Sequence, residues 1–244
     1  MLIDSHMHLG EDLIFNTNDS EEDLLSYMNE HGIDAAILQT GIRTYDAKKA
    51  TQRVYDMIQR YPGKFWGAAV HEPYCTEEEY YSFMRWAIKD LGFKALKLHT
   101  FGFCASPTSP QAHKIFETAK ELKVPVIIHT GNGVPAALPS LAIPLAKEFP
   151  DVKIVLAHSG NSYYAMEAQV AAQTCENIFL ETSWINVLDL KSFVETLGCS
   201  KLMFGVDIPL NAGVELAKYR ALKLTDEQYE QCFWKTATEV FALN

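Results

Sequence analysis

Two histidines one residue apart, His6 and His8, follow the short apolar run Leu2–Ser5 at the start of the chain. On a strand, side chains alternate between faces, so this pair points one way and can grip one ion from a single element. Imidazole nitrogen suits zinc and other borderline transition metals. Two histidines at this spacing also occur as ordinary surface residues, so their meaning depends on what accompanies them. His71-Glu72, Lys97 and His99, His129, His158, Glu181 and Asp207 each end or follow another short apolar run. Of the eight histidines in the chain, only His31 and His113 fall in or beside helical segments. A lone histidine at a strand end usually anchors a hydrogen bond, and a lone aspartate there usually caps a helix or forms a turn. Those readings are independent of one another, and convergence on one site explains the set more economically.

The elements that must position these residues alternate along the chain. Apolar runs at Leu2–Ser5, Ala35–Gln39, Phe65–Val70, Ala95–Leu98, Val126–Ile128, Ile154–Ala157, Ile178–Glu181 and Leu202–Gly205 predict strands. Amphipathic stretches between and after them predict helices, from Glu21–His31 and Ala47–Tyr61 through to Asp226–Phe241. Eight strand–helix units of roughly 30 residues match a (β/α)8 TIM barrel, with residues 1–244 forming one domain. A doubly wound open sheet competes, but it usually has about five or six strands and a Gly-rich first turn that is missing here. In a barrel the carboxyl ends of the strands form the active site, which is where the histidines stand. Alternation puts Lys97 on the same face as Ala95 and His99, pointing into the barrel, with Leu96 and Leu98 facing the helices.

A net charge of -10 argues against a nucleic-acid partner, whose phosphates need a basic patch. The five cysteines are odd in number, widely spaced and without a Cys-x-x-Cys, which suits reduced thiols in a cytoplasmic protein. No signal-peptide pattern precedes the first strand, and no apolar run is long enough to span a membrane. The expected partner is a small-molecule substrate, with a homodimer plausible by analogy with other barrels.

Five segments, in order, resemble the amidohydrolase superfamily, and within it the amidohydrolase-related group that includes aminocarboxymuconate-semialdehyde decarboxylase. They are Asp4–His8, Gly92–His99, Val126–Gly131, Leu156–Gly160 and Phe204–Pro209. The resemblance implies that His6, His8 and His129 bind one divalent metal, with Asp207 as fourth ligand or near neighbour. Zinc is the first expectation, with manganese, iron or a second metal as alternatives. A divalent ion lowers the pKa of its water and polarises a carbonyl, and a carboxylate alongside can shuttle the proton. Asp207 is the candidate shuttle, and His158 would orient the water or stabilise the oxyanion.

Lys97 has three readings: a grip on an anionic substrate group, a carboxylated bridge between two metals, or a partner of a buried acid such as Glu72 or Glu181. His71, Glu72 and His99 are candidate substrate contacts, Arg43 a candidate carboxylate clamp, and Trp184 a candidate wall. Departures from the group's pattern include Gly205-Val206-Asp207 in place of Gly-Ser-Asp; none removes a ligand. The resulting expectation is a metal-dependent hydrolase of an amide, lactone or ester in a small carboxylated molecule. Non-oxidative decarboxylation at the same site is the alternative, and a non-catalytic metal- or ligand-binding barrel is the third reading.

Overall fold

Short aliphatic runs closed by polar or glycine-bearing segments form strands because branched side chains fit a pleated, buried surface. The computed structural model of the chain describes residues 1–243. Its strands are β1 (Ile3–Asp12), β2 (Thr17–Asp19), β3 (Ala35–Thr40), β4 (Phe65–Val70), β5 (Ala95–Leu98), β6 (Val126–His129), β7 (Ile154–Ala157), β8 (Ile178–Glu181) and β9 (Leu202–Met203). The helices are α1 (Glu21–His31), α2 (Ala47–Arg60), α3 (Glu77–Arg85), α4 (Pro110–Leu122), α5 (Ala142–Glu148), α6 (Ala165–Thr174), α7 (Val187–Leu197), α8 (Ala212–Leu222), α9 (Asp226–Glu230) and α10 (Thr236–Phe241). Their starts follow cap chemistry. Ser20 and Thr76 each close a capping box with the acid three residues on, and Gly32 ends α1 in the left-handed conformation. No described helix is long and apolar enough to cross a membrane.

Strand β1 pairs in parallel with β3, and each later strand pairs in parallel with the next as far as β9. The ring closes where Ser5 N–H donates to the Phe204 carbonyl at 3.0 Å and Asp207 N–H donates to the His6 carbonyl at 2.8 Å. Met7 and Asp207 form a parallel bridge at the same seam. Eight parallel strands therefore close into the expected TIM barrel. Beneath the seam, the buried Asp4 carboxylate accepts from His6 N–H at 3.0 Å, Val206 N–H at 2.9 Å and the Tyr27 hydroxyl at 2.8 Å. Burial pushes the Asp4 carboxyl up to about 8.

Alternation sorts the core into two layers. Leu96, Leu98, Ile128 and Leu156 pack between strands and helices, while Ile3, Ala35, Ala68, Ala95, Ile127 and Val155 fill the barrel interior together with Val240 and Phe241 of α10. Apolar residues thus occupy the interior, and the polar set is gathered at the strands' carboxyl ends. One element departs from expectation. Strand β1 runs on past Ser5 to Asp12 and folds back on β2, with Gly10 opposite Asp19 and Asp12 opposite Thr17. Its paired residues, Gly10–Asp12 and Thr17–Asp19, include no apolar side chain, so they carry no apolar period.

Candidate active site

At the carboxyl ends of the strands lies a cavity of about 370 Å³. His8, His99, His129, His158, Trp184 and Asp207 line it, joined by Asp12, Phe15 and Asp19 of the β1–β2 hairpin and by Asn132 and Asn161. His6 is fully buried beneath it.

The histidines of β1 are fixed by what their far nitrogens touch. His6 Nδ1 lies 3.2 Å from Glu181 Oε2, and His8 Nδ1 lies 2.9 Å from the Thr40 carbonyl. A carboxylate and a carbonyl can only accept, so each Nδ1 carries the hydrogen and each Nε2 keeps its lone pair. Both Nε2 atoms face Asp207 Oδ1, at 3.5 Å from His6 and 3.4 Å from His8. Three acceptors crowded together repel one another unless positive charge stands among them; all three ligand atoms lie within 4.8 Å, and the Lys97 ammonium reaches one of them, His6 Nε2, at 3.2 Å. Asp207 Oδ2 meanwhile accepts from the Trp184 indole N–H at 2.7 Å. Burial acts to raise the Asp207 carboxyl, but His158, His8 and His6 outweigh it and hold it well below the usual carboxylate range.

The backbone here is strained. His158, Trp184 and Asp207 take φ values of 64°, 63° and 73°, in the left-handed region that non-glycine residues seldom enter. Trp184 is held there by its N–H, which donates to Glu215 Oε1 at 2.9 Å. Glu215 pairs in turn with Lys218, whose ammonium also reaches the Thr182 and Ile185 carbonyls at 3.0 and 2.7 Å.

Glu181 organises the floor. Besides His6, it accepts from the His158 N–H at 3.0 Å, the Ser183 N–H at 2.6 Å and the Ser183 hydroxyl at 3.0 Å. Only glycine fits beside it, because a Cβ on Gly205 would stand 2.3 Å from Glu181 Oε1. His158 Nδ1 lies 2.7 Å from Ser183 Oγ. That hydroxyl spends its proton on Glu181, so His158 Nδ1 is the donor and its Nε2 is free to accept. Burial lowers the His158 imidazole to about 3 and holds His6, His99 and His129 well below their ordinary value.

His129 stands apart from the tight group of His6, His8 and Asp207. Its ring stacks on His99 at 4.0 Å and lies 4.8 Å from the His158 ring. Its buried Nδ1 has no hydrogen-bond partner, and its Nε2 lies 3.3 Å from Asn132 Nδ2. The donor set therefore fits a divalent ion: two imidazole Nε2 atoms turned toward one ionised carboxylate, with an orphaned ring nitrogen on His129.

Lys97 is fully buried, and its Nζ lies 3.2 Å from His6 Nε2. It forms no ion pair with Glu72 or Glu181; Glu181 is engaged by His6 and His158 instead. Burial lowers its ammonium to about 8, against the opposing charges of Asp207 and Glu181. His71, Glu72 and Arg43 are not brought to the cavity; they line a separate hollow beside Phe103. The reason for Arg43 is the hairpin. Leu13 N–H donates to the Arg43 carbonyl and Asp12 Oδ2 accepts from Ile42 N–H, so Ile42 faces the cavity. His71 packs its ring against Phe83 at 4.4 Å. Sequence reasoning missed Asp12, Phe15, Asp19, Asn132 and Asn161. Asn16, between the apolar Leu13–Phe15 and the polar Thr17–Asp19, and the Asn132-Gly133 turn pair were the available signals.

The sequence pattern of the family described as amidohydrolase matches residues 3–243. The chain belongs to the amidohydrolase family. Amidohydrolases are metal-dependent enzymes, and this chain is an enzyme of that family. No curated protein matches it by sequence. Among solved structures it is similar to the 5-carboxyvanillate decarboxylase of Novosphingobium aromaticivorans complexed with manganese, at a TM-score of 0.79 and 17% identity, covering 100% of this chain and 96% of that one. It is similar to 2,6-dihydroxybenzoate decarboxylase from Rhizobium, at 0.77 and 16%, covering 99% and 98%. It is also similar to a probable 2-pyrone-4,6-dicarboxylic acid hydrolase from Acinetobacter baumannii with citric acid bound, at 0.70 and 17%, covering 99% of both chains. At these identities the likeness is one of fold.

Proposed function

We propose that residues 1–244 work as one metal-dependent hydrolase that cleaves an amide, lactone or ester bond of a small molecule. The observation that carries this reading is the convergence of His6 Nε2, His8 Nε2 and Asp207 Oδ1 on one point, with every other polar atom of those side chains already engaged. His6, His8, His129 and Asp207 would hold a divalent ion, zinc by the chemistry of the donor set, which supplies Lewis acidity and makes water acidic near neutrality. Asp207, ionised at neutral pH, takes a proton from the attacking water and returns it to the leaving group. His158, neutral and with Nε2 free to accept, orients that water. The Trp184 indole keeps Oδ1 of Asp207 turned toward the histidines.

Two of the similar structures are decarboxylases, which supports non-oxidative decarboxylation as the second reading. Decarboxylation needs a carboxylate substrate, and the cavity is lined by Asp12, Asp19 and Asp207 with no lysine or arginine. The charge of the lining favours hydrolysis.

Metal analysis of protein purified without an affinity tag or chelator tests the reading. About one zinc per chain is expected, lost in the His6→Ala, His8→Ala double variant. Protein that neither holds nor takes up metal sinks it. A loaded protein inert toward lactones, esters and amides that releases carbon dioxide from a carboxylated aromatic acid would replace it with the decarboxylase.

A further inference from the structure

No lysine or arginine lines the cavity, and the guanidinium nearest its hairpin wall is that of Arg53, whose Nη1 would stand 3.2 Å from a Cβ on Gly10. Lys97 is sealed beneath the histidines and Arg43 lies in the neighbouring hollow. Two acids of the hairpin line the cavity, and they differ in what they do. Both Asp12 oxygens are occupied by backbone donors, Oδ1 by Ile14 N–H at 2.8 Å and Phe15 N–H at 3.3 Å, Oδ2 by Ile42 N–H at 2.6 Å. Asp12 therefore holds the hairpin in shape. Asp19 has no such duty: its side chain has no hydrogen bond or ion pair among the described residues. The first turn of α1 does not need it either, since Ser20 and Asp23 already close the capping box there.

Burial raises the Asp19 carboxyl, and the negative charges of Asp23 and Asp207 add to that effect against an opposing pull from His8. Such a carboxylate gains most from an arriving cation. Phe15 and Trp184 line the same cavity, 43% and 38% exposed, and offer aromatic surface to a positive group.

We infer that the substrate carries a positively charged amine or guanidine remote from the bond being broken, and that Asp19 is the residue that selects it. This rests on the proposed hydrolase site and reverses the carboxylated substrate expected from Lys97 and Arg43. The negative net charge of the chain steers such a molecule inward and repels a dianionic one.

Three hydroxamic acids of matched length test the inference, because the hydroxamate end binds zinc whether or not catalysis occurs. They are the 4-aminobutanoyl, pentanoyl and glutaric mono-hydroxamic acids, titrated calorimetrically into zinc-loaded protein. The ammonium probe is expected to bind about fivefold tighter than the neutral one, and the carboxylate probe about fivefold weaker. Asp19→Asn should bring all three to within about twofold, and Asp19→Lys should reverse the order. Binding of all three without that order in the wild type, or an order untouched by Asp19→Asn, overturns the inference alone. Failure of every hydroxamate to bind overturns the metal site and this inference with it.

Discussion

What His6 and His8 can do is decided at their far nitrogens, by Glu181 and the Thr40 carbonyl, and what Asp207 can do is decided by Trp184. Trp184→Phe keeps an aromatic wall and deletes only the indole donor, freeing the carboxylate to rotate. Zinc affinity is expected to fall roughly tenfold, read by chelator competition. Unchanged affinity would show that the seam backbone alone orients Asp207. At this scale the sequence was informative about residue type and strand position, which is why His6, His8, His129, His158 and Asp207 could be named. It was silent on pairings such as Trp184 with Asp207, because contacts between residues 23 apart depend on left-handed backbone that no local pattern announces. It offered Arg43 as a candidate carboxylate clamp without fixing where it points, since a residue just after a strand gives no sign of which way its loop is tied.

Among the elements, strand-end placement depends on close approach. Gly205 follows β9 and leaves room for Glu181 at the end of β8, so the two strands share one requirement. Gly205→Ala is expected to displace the Glu181 carboxylate, cost about 1–3 kcal/mol of stability by overpacking and weaken zinc binding through His6. Urea denaturation and metal titration of the same variant separate the two effects. The barrel was legible because strand and helix periods alternate cleanly from β3 onward and Lys97 does share the Ala95 side. The β1–β2 hairpin was not, because Gly10, Glu11 and Asp12 paired with Asp19, Asn18 and Thr17 have no apolar face to read. That hairpin supplies Asp12, Phe15 and Asp19, so the largest gap in the sequence reading lies in the part that bears on selectivity.

Over the whole molecule, buried titratable groups set how the metal-free protein responds to pH. His6, His99, His129 and His158 stay neutral in the fold, while in the unfolded chain each takes a proton below about 6.5. As pH falls below that value, the unfolded state binds more protons, so stability is lost by up to about 1.4 kcal/mol per pH unit for each histidine still neutral in the fold. Asp4 and Glu215 act in the other direction. Burial raises them to about 8 and about 7, so the fold holds protons that the unfolded chain has already released, and that stability is lost as pH rises through those values. Stability of the chelator-treated protein should peak near pH 6.5 and be lower at both pH 5 and pH 8. A urea midpoint that climbs steadily from pH 5 to pH 8 would contradict this balance. Zinc added at a hundredfold excess over its dissociation constant should stabilise the fold by about 2.7 kcal/mol, seen as a rise in melting temperature.

The seam where Ser5 meets Phe204 and His6 meets Asp207 joins the first strand to the last. His6 and His8 leave the ribosome well ahead of Asp207, which follows only after nearly the whole barrel has been made. A nascent chain arrested before that point has the histidines but lacks the carboxylate, the Trp184 contact and the closed ring that turns these groups toward one another. On the proposed ligand set, capture of a divalent ion is expected to be a late event in biogenesis, with a chain arrested before Asp207 binding it far more weakly than the finished protein.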